Sequence, residues 1–166
     1  MDSFVESGMT FGPFPDDRFF RIEKSTLLQK CNGIKTVEFI WHRKDFAMHF
    51  VEAKQSSPLN RPGNEDNYEC FISEISAKFV DSFNLYLSGL LERRPGHTDI
   101  PDSLKKADYK KMQFKFILIL KGHENEEPLV GLRTELERRI RSYRRIWNSE
   151  VLVLNEQMAR SNHYIA

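Results

Sequence analysis

The chain predicts a mixed α/β fold: a three-stranded antiparallel meander, then helix, strand, helix and strand, with the helices packed on a central mixed sheet. Three observations carry this expectation. Apolar runs with strand character bracket turn signals in the first third of the chain. A stripe of apolar residues at three- and four-residue spacing follows, from Ile72 to Leu90. A run apolar on both faces in its second half, QFKFILILK, then lies between two helical stretches, as expected of a central strand.

In chain order, residues 1–18 carry Gly8, Gly12, Pro13 and Pro15 and read as an irregular N-terminal arm. Phe19–Cys31 reads largely as a first strand, closed by the turn signal Asn32-Gly33. Ile34–Trp41 is the second, with Val37, Phe39 and Trp41 on one face and Glu38 and Ile40 on the other. The charged turn His42-Arg43-Lys44-Asp45 leads into a third strand, Phe46–Gln55, in which Phe46, Met48 and Phe50 share parity with Glu52 and Lys54. SSPLNRPGNED is loop by composition. A helix runs from Asn67 to Arg93, its stripe made of Ile72, Ile75, Phe79, Phe83, Leu87 and Leu90. A polar connection reaches about Lys111, long enough to hold a short helix or to be mobile. Gln113–Lys121 is the fourth strand. Leu129–Trp147 is a second helix, with Leu132, Leu136, Ile140, Tyr143 and Trp147 on its buried stripe, and Glu150–Leu154 is the fifth strand. Residues 156–166 read as a polar C-terminal tail, which leaves a single domain over 19–155.

Composition narrows the functional classes. With 166 residues, 40% hydrophobic and 30% charged, the chain can bury a core of its own. Its formal net charge is +1, so any anionic partner is held by a local patch. Two cysteines, Cys31 and Cys70, make neither a disulfide framework nor a metal-binding spacing. No apolar run reaches the length of a membrane span, and the acidic N-terminus does not read as a signal peptide. The expectation is a cytoplasmic protein with no membrane partner.

Residues 36–54, TVEFIWHRKDFAMHFVEAK, carry most of the functional information. Paired as a hairpin, the two strands bring Glu38 and Glu52 to the same end. Glu52 and Lys54, two apart in a strand, project together. Two carboxylates beside one lysine suit a hard divalent cation with an ammonium at its rim. The plainer alternative is a cross-strand Glu38–Lys54 salt bridge at a solvated strand end.

This order of elements, with an acid in the second strand and Glu-x-Lys closing the third, resembles the PD-(D/E)XK nuclease superfamily over about residues 19–155. The resemblance implies that Glu38 and Glu52, with the main-chain carbonyl of Ala53, hold a magnesium or manganese ion. It implies that Lys54 orients the attacking water or stabilises charge on the phosphate, so that Glu38, Glu52 and Lys54 together hydrolyse nucleic-acid phosphodiesters. Glu38 stands where the family usually has aspartate, preceded by Val37 in place of proline. The further upstream acid of many active members has candidates in Glu6 and Glu23.

Other signals are weaker. Arg138, Arg141, Arg144 and Arg145 on the second helix are candidate contacts to DNA or RNA phosphates, with a solvated face or a dimer surface as the alternative. Lys105, Lys106, Lys110 and Lys111 form a second basic cluster. His49 faces away from Glu52 and reads as structural. Two competing functions stand beside the nuclease reading: a catalytically inactive binding or assembly module of the same fold, and an unrelated α/β interaction protein that dimerises through its helices.

Overall fold

A two-residue turn at Ser7-Gly8 makes the N-terminal segment pair with itself, and Phe4 stacks on Phe11 across the pair. The chain opens as a hairpin of β1 (Asp2–Glu6) and β2 (Met9–Phe14) in the computed structural model, which describes residues 1–43 and 46–166. The main sheet then takes β3 (Phe19–Phe20), β4 (Phe39–His42), β5 (Ala47–Lys54), β6 (Gln113–Leu120) and β7 (Glu150–Asn155), in that spatial order. β3, β4 and β5 pair antiparallel, and β5, β6 and β7 pair parallel. The mixed α/β sheet expected from the sequence is therefore the fold.

Both faces of the sheet are covered. On one lies α1 (Glu65–Leu90), whose Ile72, Ile75, Phe79 and Phe83 meet Ile40, Met48, Phe50 and Phe116. With it pack α3 (Glu127–Arg139) and α4 (Arg141–Trp147). Phe11 and Phe14 of the hairpin lie on the other face, in ring contact with Phe39 and buried together with Val51, Ala53, Ile117 and Ile119. A central strand covered on both sides is buried throughout, and β5 is buried from Ala47 to Ala53.

Several elements differ from the sequence reading, each for a local reason. The expected irregular arm is the hairpin, and its glycines supply the turn. Ser7 and Gly8, both at positive φ, link the paired Glu6 and Met9 in a two-residue loop that suits the twist of antiparallel strands. The first strand of the meander shrinks to Phe19–Phe20, and 3-10 turns follow at Ile22–Lys24 and Thr26–Leu28. There Ser25 Oγ donates to the Ile22 carbonyl at 2.7 Å, a local bond that competes with a ladder. β4 starts only at Phe39. Val37 lies outside the strand, so its side chain joins the helix-side core while its N–H donates to Ser82 Oγ at 2.7 Å. Phe46, at φ 58, stands outside β5 and is exposed. Lys44 and Asp45 of the expected turn lie outside the described residues.

The second helix is broken at Ile140, which stays buried at the joint. The change of direction carries Tyr143 and Trp147 edge-on to Phe83, so Trp147 covers the core with one face and exposes the other. The long connection is ordered by a 3-10 turn at Pro95–Asp99 and by α2 (Asp102–Lys105), with Ile100 and Leu104 buried. The polar tail holds α5 (Glu156–Ser161), capped by Asn155 accepting from the Met158 N–H at 2.8 Å. Beyond it Tyr164 and Ile165 are buried against the hairpin side. No helix among the described residues is long and apolar enough to cross a membrane.

Candidate acidic site at the carboxyl end of β5

Strand register brings the two key acids together. Phe39 pairs with Val51 and Ile40 with Phe50, and the Glu38 N–H donates to the Val51 carbonyl at 3.0 Å. Continuing that register sets Glu38 beside Glu52, on the face covered by α1. Both are buried, Glu52 completely. Each keeps one carboxylate oxygen, Oε2, buried and without a hydrogen-bond partner among the described residues.

Two further acids, the candidates for the upstream acid, come from the expected irregular arm and from the expected first strand. Glu23, in the 3-10 turn after β3, and Glu6, at the end of β1, bring carboxylate oxygens to within 4.8 Å of one another and of Glu38. Among the described residues this is the group of three acids that could hold a metal ion. Glu6 also accepts from the Ser7 N–H at 3.0 Å. The Ala53 carbonyl, the expected main-chain ligand, faces this edge and accepts from the Ser7 hydroxyl at 3.0 Å.

Basic groups partly balance these acids. Lys78 of α1 donates to Glu52 Oε1 at 2.6 Å and lies 3.9 Å from Glu38 Oε1. Lys54 donates to Glu74 of α1 at 2.9 Å and lies 3.5 Å from Glu52. The alternative Glu38–Lys54 bridge is thus replaced by Lys54–Glu74 and Lys78–Glu52. Arg21 pairs with Glu23 while its guanidinium covers the Phe4 ring at 3.7 Å.

The electrostatics follow from burial and crowding. Burial pushes the Glu38 carboxyl up to about 8, and the hydrogen bond to Glu23 and the charges of Glu52, Glu23 and Glu6 add to it. Burial also raises Glu52, against the pull of Lys78 and Lys54. Glu23 is lowered, because its bonds to Glu38 and Arg21 and the nearby cations outweigh its burial. Burial works to lower Lys54, but the Glu74 bond and the Glu52 charge overcome it and the net shift is upward. At neutral pH Glu38 therefore keeps its proton, and the remaining acids are met by Lys78, Lys54, Arg21 and Lys24. The chemistry of the cluster fits a hard, oxygen-ligated divalent ion.

Lys78 and Glu74 were missed by the sequence reading. Lys78 falls between Ile75 and Ser82 at helical spacing, so a lysine on the edge of an apolar stripe was the available signal. The arginines lie elsewhere. Arg138, Arg141, Arg144 and Arg145 line a hollow with Thr134 and Ser149, just before β7 begins, at the amino end of the parallel strands. Glu52 and Lys54 sit at their carboxyl end. Arg138 pairs with Glu135 and Arg144 with Glu137, while Arg141 and Arg145 have no ion pair among the described residues. Lys105 and Lys111 of the other basic cluster pair with Asp102 and Asp108.

No family model, curated protein or solved structure matches this chain.

Proposed function

We propose that this protein is a metal-dependent hydrolase of nucleic-acid phosphodiesters with a PD-(D/E)XK-type site. The observation that carries the reading is the pairing of Glu38 with Glu52 on one face of adjacent strands, each with a buried, unpartnered oxygen, beside Glu23 and Glu6. Glu38 and Glu52 are the ligands we assign to magnesium or manganese; Glu23 and Glu6 gather around Glu38 in the group of three that leaves Glu52 out, and stand beside the ion on that side. The bound ion supplies a polarised phosphoryl oxygen and an acidified water. Lys54, partly exposed at the rim, places positive charge where the phosphate gains negative charge. The Ala53 carbonyl accepts from Ser7 and keeps a second lone pair that it can offer as a ligand.

The test is thermal unfolding with and without Mn²⁺. Millimolar Mn²⁺ is expected to raise Tm by several degrees, on the order of 1–3 kcal/mol of added stability. Glu52→Gln, nearly isosteric, is expected to abolish that rise. An unchanged Tm in the wild type at 5–10 mM Mn²⁺ would remove the reading. For the arginines, affinity for DNA is expected to fall steeply with salt, and each of Arg141→Ala and Arg145→Ala should reduce the logarithmic salt slope by about 1.

One observation favours the inactive-module reading as a second choice. Glu52 already has two lysines within 4 Å, both on Oε1, which balance its charge without any metal. The Mn²⁺ titration separates the two. A cytoplasmic location is part of the proposal and is supported by the two free cysteines, Cys31 and Cys70.

A further inference from the structure

Lys78 occupies the position that decides how this site works. Its Nζ is 2.6 Å from Glu52 Oε1 and 3.9 Å from Glu38 Oε1, so the ammonium stands between two carboxylates that the metal reading makes ligands. A divalent ion held at about 2.0–2.6 Å by the unpartnered Oε2 atoms of the same two carboxylates comes within a few ångströms of that ammonium. Two cations in so buried a place repel strongly, because little water screens them. An ion on Oε2 draws the carboxylate charge away from the ammonium on Oε1, and the repulsion favours departure of the lysine.

The structure provides somewhere for it to go. Glu74 lies one helical turn before Lys78 on α1, at the spacing where acid and lysine meet on a helix surface. Glu74 already feels the Lys78 charge, although its hydrogen bond is with Lys54 at 2.9 Å. If Lys78 swings back to Glu74, Lys54 loses its hold on Glu74 to the newcomer and its hold on Glu52 to the metal. Its ammonium is then free to face a phosphate.

We infer that Lys78 is the resident counter-cation of this site, displaced onto Glu74 by the incoming divalent ion, and that its departure releases Lys54 for the substrate. The inference rests on the metal reading. It makes metal binding weaker than the carboxylates alone would give, and it couples metal occupancy to the availability of Lys54.

The direct test uses the wild-type protein. Reductive methylation followed by peptide mass spectrometry reads the accessibility of each lysine. Without metal, Lys78 (16% side-chain exposure) and Lys54 (30%) are both held by carboxylates and label slowly. With saturating Mn²⁺ both are expected to label several-fold faster, while Lys110, far from the site, serves as the unchanged reference. Titration calorimetry with Mn²⁺ adds the second readout: Lys78→Met is expected to bind about tenfold tighter than wild type, a gain of about 1.4 kcal/mol. Lys78→Met leaves Glu52 with one lysine, so if it does not fold, the wild-type labelling decides alone. Heat of Mn²⁺ binding to the wild type with Lys78 labelling unchanged would overturn the inference and leave the metal reading standing. No heat from either protein at millimolar Mn²⁺ would overturn both.

Discussion

His49 and Glu52 lie on the same strand, on opposite faces, and both are buried polar groups; only one of them belongs to a site. His49 meets the Tyr164 hydroxyl through Nδ1 at 2.6 Å and lies among the rings of Trp41 and Tyr164. Burial, with the positive charges of Arg43, Lys115 and His42 behind it, pushes its imidazole down to about 3. It is a neutral group closing an aromatic core. Glu52 sits instead beside Glu38, with Lys78 and Lys54 on one of its oxygens and the other oxygen buried without a hydrogen bond. A buried imidazole kept neutral among rings completes packing, whereas buried carboxyls that converge with oxygens to spare mark a place for an ion.

The helix-side core is the larger of the two, but the greatest single effect is expected on the aromatic face. Tyr164→Ala removes a fully buried ring, takes the partner from His49 and loosens the C-terminal segment from the hairpin. The expected cost is about 3–5 kcal/mol by urea unfolding. The Mn²⁺-dependent rise in Tm should survive, since Glu38 and Glu52, the assigned ligands, are on the other face. Loss of that rise in a folded Tyr164→Ala protein would break the separation of the two faces.

The acid face should show the next largest effect, with an unusual sign. The folded protein holds the Glu38 carboxyl at about 8, above its ordinary value of 4.5. A carboxyl raised on folding contributes stability that is complete below pH 4.5 and is lost as pH climbs to about 8. Glu38→Gln keeps the shape and removes the titration. It is therefore expected to match wild type near pH 4.5 and to exceed it at pH 9 by on the order of 3 kcal/mol. Mn²⁺ should narrow that gap by stabilising the wild type alone. A wild-type curve parallel to that of Glu38→Gln from pH 5 to 9 would show that the acids are not crowded.

How far the sequence carried each face is instructive. Alternation and helical stripes were enough for β5, β6 and α1, because their apolar residues repeat at the period of the element. The reading of residues 36–54 as a hairpin also brought Glu38 and Glu52 to the same end of the paired strands. The N-terminal hairpin and the tail were hidden by their composition. Gly8, Gly12 and Pro13 read as irregularity, yet Phe11 and Phe14 between them seal the second face of the sheet. Tyr164 and Ile165 carried no periodic signal at all. At the site, Glu6, Glu23, Glu74 and Lys78 arrive from a strand end, a 3-10 turn and a helix. Their convergence depends on tertiary packing, which no local spacing in the chain encodes.

The smallest expected effect tests the neutral side of the comparison. Tyr164→Phe keeps the ring and its packing and deletes only the hydroxyl bonded to His49. The expected loss is about 1 kcal/mol at pH 7, the usual cost of one buried hydrogen bond. The pH profile should be insensitive to the change above pH 6.5. His49 is depressed from 6.5 to about 3, so the folded state binds fewer protons than the unfolded one in that window, and stability falls as pH drops from 6.5 toward 3. Burial causes that depression and survives the substitution, so the acid-side slope should persist in Tyr164→Phe. The two faces thus lose stability in opposite directions, the histidine face toward acid and the glutamate face toward alkali. A Tyr164→Phe protein whose stability stayed level between pH 6.5 and 4 would show that the hydroxyl, and not the surrounding rings, holds His49 neutral.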